Sequence, residues 1–187
     1  MKVQKIKNHR KGLTLVEVLL VIFIITILVG IPFWSAAGWI RRSRLKNEAI
    51  KVRTFIENQR TTAMGMSTRR ALVFEGRNIK VLMENLTRPL PNLDSLVSVY
   101  TNFFSSNIYL GGIPGATGLR GGSIDSDGVM FGQSQQNNTL TFTAFGLVET
   151  PGEIYLNDGK NLFCIAINGF GQVKIYRWEG GQWNEIK

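Results

Sequence analysis

The stretch KGLTLVEVLLVIFIITILVG, Lys11 to Gly30, holds one ionisable side chain beyond its opening lysine, Glu17. A carboxylate deep in hydrocarbon costs about 2.5–3.5 kcal/mol on insertion scales and usually has a partner. Elsewhere the residue types that carry covalent or metal chemistry are sparse. Cys164 is the single cysteine, so no intramolecular disulfide can form. Its place in the run LFCIAI reads as a buried thiol, not a nucleophile. His9 is the single histidine and lies in a basic leader, which excludes histidine triads and multi-histidine metal sites from a chain lacking that leader. Asp125 and Asp127, in DSDG, open like a calcium loop but lack its downstream ligands and closing bidentate glutamate. A turn is expected there, with at most a weak ion site. No phosphate-binding loop and no nucleophile–base pair is legible. The expectation is a chain that is not an enzyme and holds no cofactor or metal.

Glu17 therefore frames the problem. From Leu13 to Ile40 the chain is apolar enough and long enough to cross a bilayer, which takes about 20 residues, and in lipid such a run satisfies its backbone only as a helix. Three readings compete. One is a plain signal anchor. Another is a secretory signal peptide cut after Ser35-Ala36-Ala37, although its apolar core exceeds the usual length of about 7–15 residues. The third is a leader, residues 1–12, removed between Gly12 and Leu13. The first two leave Glu17 without a task. The third creates an α-amino cation at Leu13, four residues from Glu17. Positions i and i+4 share a helix face, so carboxylate and amine can pair within one chain or between staggered neighbouring helices. A carboxylate in the first turn also suits the helix dipole.

The string KGLTLVEVLLVI resembles the prepilin signature of type IV pilins and type II secretion pseudopilins: a short basic leader ending in glycine, then an apolar helix with threonine second and glutamate fifth. The resemblance implies that prepilin peptidase cuts after Gly12 and methylates the new amine of Leu13. It further implies that Glu17 docks each subunit into a growing filament. The partners implied are prepilin peptidase, other pilins or pseudopilins, an inner-membrane assembly platform, and the lipid bilayer before assembly. The implied location is the bacterial inner membrane, crossed once with the C-terminal domain in the periplasm or outside, and then the filament. Leu13 stands where phenylalanine is more usual, and Pro32 sits two residues nearer the N-terminus than the family's kink proline.

Further along, RTFIENQRTTAMGMSTRRALVFE, LTFTAFGLVETPGEIYL and CIAINGFGQVKIYR resemble the pseudopilin H and FimT group of minor pilins. Some of that group bind DNA through basic residues near the C-terminal strands. By that resemblance Lys174 and Arg177 are nucleic-acid candidates, with Tyr176 and Trp178 nearby for stacking. Strand alternation sets Lys174 and Arg177 on opposite faces, and solvated charges on an edge strand are the competing explanation.

The formal charge of +9 carries little weight once mapped. Lys2, Lys5, Lys7, Arg10 and Lys11 supply five positive charges, leaving 17 basic against 13 acidic residues. Arg41, Arg42, Arg44 and Lys46 follow the apolar run, so both of its flanks are basic and a count of lysines and arginines does not orient it.

The elements that must position these residues follow from periodicity. Leu45, Ala49, Val52, Ile56, Gln59, Ala63 and Met66 trace one helical stripe, polar only at Gln59. One helix is expected over 13–66, transmembrane over about 15–38, with Gly30–Pro32 as the place for any bend and its second half packed on a β-rich domain, residues 67–187. ALVFE and IKVLME read as a hairpin, followed by LVSVYTNFF, NIYL, TLTFTAF, EIYL, LFCIAI and QVKIYRW. QWNEI is expected to pair with the last of these across Gly180-Gly181. Arg88-Pro89-Leu90-Pro91 and the segment from Gly111 to Gly128 read as surface loops. The latter's GIPGATGLRG repeats a Gly-X-Y period too briefly for collagen. The fold class is α+β: a long N-terminal helix on an antiparallel sheet.

Overall fold

The computed structural model describes residues 14–84, 95–132 and 138–186, the side chains of residues 28–37 excepted. The expected Arg88–Pro91 loop lies outside the described residues. The chain divides into two compact units, Met1–Ile40 and Arg41–Lys187, and the helix α1, Leu15–Met66, runs through both. Gly30 and Pro32 are helical. At the start of α1, Thr14 is the cap. Its carbonyl accepts from the Glu17 and Val18 N–H groups at 3.1 and 3.2 Å, and its Oγ1 accepts from the Glu17 N–H at 3.3 Å. Threonine followed three residues later by glutamate is capping-box spacing. The helix closes at Ser67, with φ 51°. The Ser67 N–H donates to the Met64 carbonyl at 3.2 Å and the Thr68 N–H to that of Ala63 at 3.1 Å. That pair of bonds is the Schellman closure, with serine where glycine is usual.

In the second unit the expected stripe is the buried face of α1. Leu45, Ala49, Val52, Ile56 and Ala63 are fully buried, whereas Met66 is exposed. Each buried valine, leucine or isoleucine contributes about 1.5–3 kcal/mol relative to leaving it in water. The stripe meets two antiparallel sheets where one was expected. The strands of the first are β1 (Arg70–Glu75), β2 (Asn78–Met83), β3 (Ser95–Tyr100) and β6 (Thr139–Phe142), in the order β3-β2-β1-β6. The second contains β4 (Tyr109–Leu110), β5 (Val129–Phe131), β7 (Gly152–Asn157), β8 (Leu162–Ile167), β9 (Val173–Glu179) and β10 (Gln182–Ile186). Its order is β10-β9-β8-β7-β4, with β5 also on β7. The β9–β10 hairpin turns at Gly180-Gly181 as the pattern requires, with φ 62° and 83°. β5 was not legible in advance, because VMF is too short for any periodicity.

The second sheet is covered on both faces. Ile154, Leu156, Phe163, Ile165, Val173 and Ile175 point to the main core with α1. Tyr155, Leu162 and Cys164 point the other way, into a smaller cluster joined by Trp178 and Trp183. That outer cluster is roofed by Ile113, Ala116, Leu119 and Ile124. The 111–128 segment is therefore not a free surface loop. It is a lid that buries the far face of the sheet, and it explains why all six residues of β7 are buried.

The lid is anchored at a close backbone approach. A Cβ on Gly128, φ +65°, would lie 2.0 Å from the Gly111 nitrogen, so only glycine fits. Asp125-Ser126-Asp127-Gly128 is the expected turn, closed by Gly128 N–H to Asp125 O at 3.0 Å, and Asp127 Oδ1 accepts from the Val129 N–H at 3.1 Å.

Candidate functional site

The N-terminal unit buries none of its described large side chains. Leu15, Val16, Val18, Leu19, Leu20, Val21, Ile22, Phe23, Ile24, Ile25 and Ile27 are all exposed on every side of the helix, Leu15 at 78% and Phe23 at 66%. An apolar helix without a polar face is stable only when lipid or other helices surround it. Among the described residues no helix is long and apolar enough to cross a membrane. The span expected over 15–38 includes residues 28–37, whose side chains are not described. Glu17 stands exposed one turn in, at the third position of α1. There its charge faces the positive end of the helix dipole, and Thr26 satisfies its hydroxyl on the Ile22 carbonyl at 2.7 Å. That leaves Glu17 as the one ionisable side chain among residues 14–27. Gly12 and Leu13, the residues of the expected cut, lie outside the described residues.

The nucleic-acid candidates are not brought together. Lys174 is exposed on the outer face of β9 and donates to Glu185 Oε2 at 3.1 Å, which raises its pKa. Arg177, on the other face with Val173 and Ile175, pairs with Glu179. Tyr176 and Trp178 pack in the outer cluster, with the Trp178 and Trp183 rings 5.2 Å apart. They are half-buried, not presented as a stacking platform.

Cys164 is fully buried, as its run implied. It lies opposite Tyr155 in the β7–β8 register, and beside both is a residue the sequence did not single out, Glu153. This carboxylate is buried under the lid. It accepts from the Tyr155 hydroxyl and is paired by Arg120 at 2.9 Å from the exposed side. Tyr155 Oη in turn accepts from the Leu119 N–H at 2.8 Å. Burial, then the neighbouring Cys164 and the bond to Glu153, push the Tyr155 phenol far above its ordinary pKa. Burial and then Glu153 push the Cys164 thiol up as well. Phenol and thiol are thus held neutral, and the group is a latch fastening the lid. Among the described residues no three potential ligands gather where a metal ion could sit.

A second buried polar pair was half visible. Gln59, the polar member of the helical stripe, accepts from Arg70 Nη1 at 2.9 Å. Arg70 shares its strand face with Leu72 and Phe74, so it points into the core and is only 5% exposed. Its Nη2 rests 3.1 Å from Met66 Sδ.

Residues 7–31 match the prokaryotic N-terminal methylation motif, which bears out the signature read from KGLTLVEVLLVI. Among solved structures the chain is similar to the type IV minor pilin FimU of Pseudomonas aeruginosa strain PAO1. That chain is 12% identical with a TM-score of 0.47, and the match covers 78% of this chain and 96% of that one. No curated protein matches the sequence.

Proposed function

We propose, from the N-terminal methylation motif at residues 7–31, that the chain is a type IV pilin-like structural subunit, specifically a minor pilin or pseudopilin. Its precursor is held in the inner membrane by the apolar helix. Prepilin peptidase removes residues 1–12 and methylates Leu13, and the subunit passes from lipid into a filament by helix association on the assembly platform. The observation that supports this most directly is the apolar surface of residues 15–27, unburied on every side and interrupted by one carboxylate. Lipid and neighbouring helices cover such a surface equally well, so a subunit can exchange one for the other at small cost. Glu17 supplies direction. In lipid its charge is costly without a cation, and the Leu13 amine of the same or an adjacent helix offsets it. The Thr14 cap holds the first turn so that the carboxylate stays at the helix end, where the dipole favours it.

N-terminal sequencing and Glu17→Ala test this together. The mature chain is expected to begin at methylated Leu13, and Glu17→Ala to insert in the membrane while disappearing from sheared filaments. A mature chain that keeps residues 1–12 in the filament, or normal assembly of the alanine variant, refutes the reading. The alternative, DNA capture through Lys174 and Arg177, gains no support from their pairing with Glu185 and Glu179.

A further inference from the structure

The basic cluster that follows the apolar run has no part in the mechanism so far. Four cations, Arg41, Arg42, Arg44 and Lys46, fall within six residues, with no acid before Glu48. All four are exposed. Among the described residues only Arg42 meets a carboxylate, Glu179, at the outer limit of 4.0 Å. For a domain that must leave the cytoplasm, this density of positive charge beyond the span runs against the usual bias, so it calls for a local use.

Arg41 and Arg44, one turn apart on α1, line one wall of a groove of about 710 Å³. The opposite wall is the 105–109 segment, with Ser106, Asn107 and Tyr109. Two acids border the groove, each held by hydrogen-bond donors of its own. Glu48 accepts from the Ser105 hydroxyl and lies 3.5 Å from Lys51. Asp158 accepts from the Lys160 and Asn161 N–H groups at 3.0 and 2.7 Å. With Glu48 offset by Lys51, the groove offers a ligand two guanidinium groups against the single carboxylate of Asp158, together with neutral hydrogen-bonding side chains and the ring of Tyr109, 57% exposed.

We infer that this groove binds the phosphodiester headgroup of an anionic phospholipid in the leaflet where the apolar run ends. Guanidinium groups recognise phosphate oxygens in paired hydrogen bonds. The source is a lipid because of where the arginines stand, directly after the apolar run and two residues past Trp39, which is 70% exposed. An aromatic side chain next to arginines at the end of an apolar helix is the signature of a membrane–water interface. The site rests on the proposed membrane-anchored precursor. It would seat the domain against the bilayer until extraction into the filament breaks the contact.

The test uses full-length protein in nanodiscs of phosphatidylcholine and phosphatidylglycerol in equal parts, released into the gas phase for native mass spectrometry of retained lipid. Each cation near an anionic surface is worth roughly fivefold in association, so Arg41→Gln/Arg44→Gln should lower the retention of phosphatidylglycerol over phosphatidylcholine by about 25-fold. Lys80→Gln, on β2 and away from the apolar run, should leave it unchanged, and circular dichroism should show both variants folded. Equal retention of the two lipids by the wild type, or an unchanged ratio in the arginine variant, overturns the inference. So does displacement of the lipid by millimolar inorganic phosphate, which would mark a free-phosphate site. If the arginine variant keeps its lipid ratio but drops out of sheared filaments, the arginines serve a neighbouring subunit instead. Failure of the wild-type chain to enter nanodiscs at all would refute the membrane-anchored reading itself, an outcome distinct from insertion without lipid preference.

Discussion

Gln59→Leu changes one polar atom group on the buried stripe of α1 and leaves the guanidinium of Arg70 without its oxygen partner. Arg70 is 5% exposed, its Nε has no hydrogen-bond partner among the described residues, and the sulfur of Met66 is a weak acceptor. A hydrogen bond to a charged group contributes about 1.5–3 kcal/mol, and a buried charge stripped of its partner can cost about 3–5 kcal/mol. The 2.9 Å bond from Arg70 to Gln59 is one polar contact of an already under-satisfied group, so a loss of about 2–3 kcal/mol is expected. At about 2–4 °C per kcal/mol for a domain of this size, the melting temperature should fall by about 5–10 °C. Arg70→Met alone should cost less, because it leaves only the half-buried Gln59 amide to find water. The double variant Gln59→Leu/Arg70→Met removes both polar partners and should return to within about 1.5 kcal/mol of wild type, since an apolar pair of similar volume replaces the polar one. The assay is thermal unfolding of the full chain in detergent, followed by near-ultraviolet circular dichroism, for all four members of the cycle. An unchanged melting temperature in Gln59→Leu, or a double variant as unstable as the two singles summed, would refute the claim that Gln59 is polar because Arg70 needs it.

Alkaline unfolding tests the latch under the lid. An unfolded tyrosine loses its proton near pH 10, whereas Tyr155 keeps it in the folded chain. The unfolded state then binds fewer protons, and stability should fall with rising pH by about 1.4 kcal/mol per unit from that group. The contribution is fully present below pH 10, and Tyr155→Phe should flatten the slope above it; identical slopes would count against a buried neutral phenol. Gly128→Ala places a methyl against the Gly111 backbone at positive φ, so the variant should lose about 3 kcal/mol or more and become protease-sensitive within 111–128. Normal thermal stability of that variant would mean the lid is not anchored there. In a low-salt gel shift, wild type and Lys174→Gln/Arg177→Gln should retard DNA equally; a steeply salt-dependent shift lost in the variant would revive the nucleic-acid alternative.

Much of the architecture was legible because local chemistry and tertiary burial agree. The stripe from Leu45 to Ala63 was visible because a helix buried on one side repeats its apolar residues at three and four. The Gly180-Gly181 hairpin was visible because two successive residues at positive φ demand glycine. Cys164 was visible as inert because its run is apolar on both sides. Ser67, by contrast, closes the helix in a conformation that serine seldom takes, so the end at Met66 was marked by the close of the apolar stripe and not by a glycine. The second sheet and β5 were hidden because pairing between distant short strands leaves no local period.

What the sequence determined by itself was the N-terminal motif. The prokaryotic N-terminal methylation signature at residues 7–31, in which Gly12, Leu13 and Glu17 stand, is recognisable without tertiary context, since charge, spacing and an apolar run are all local properties. What only tertiary structure decided was the state of the charges beyond it. Glu153 reads in sequence as an ordinary strand carboxylate, and GIPGATGLRG as open loop, until the lid folds over the sheet and buries one beneath the other. Lys174 and Arg177, on opposite faces of β9 by alternation, read as available charges until Glu185 on β10 and Glu179 at the end of β9 pair with them. Charge is a property of the residue, but its availability is set by what the fold places within a few ångströms of it, and no local pattern encodes that distance.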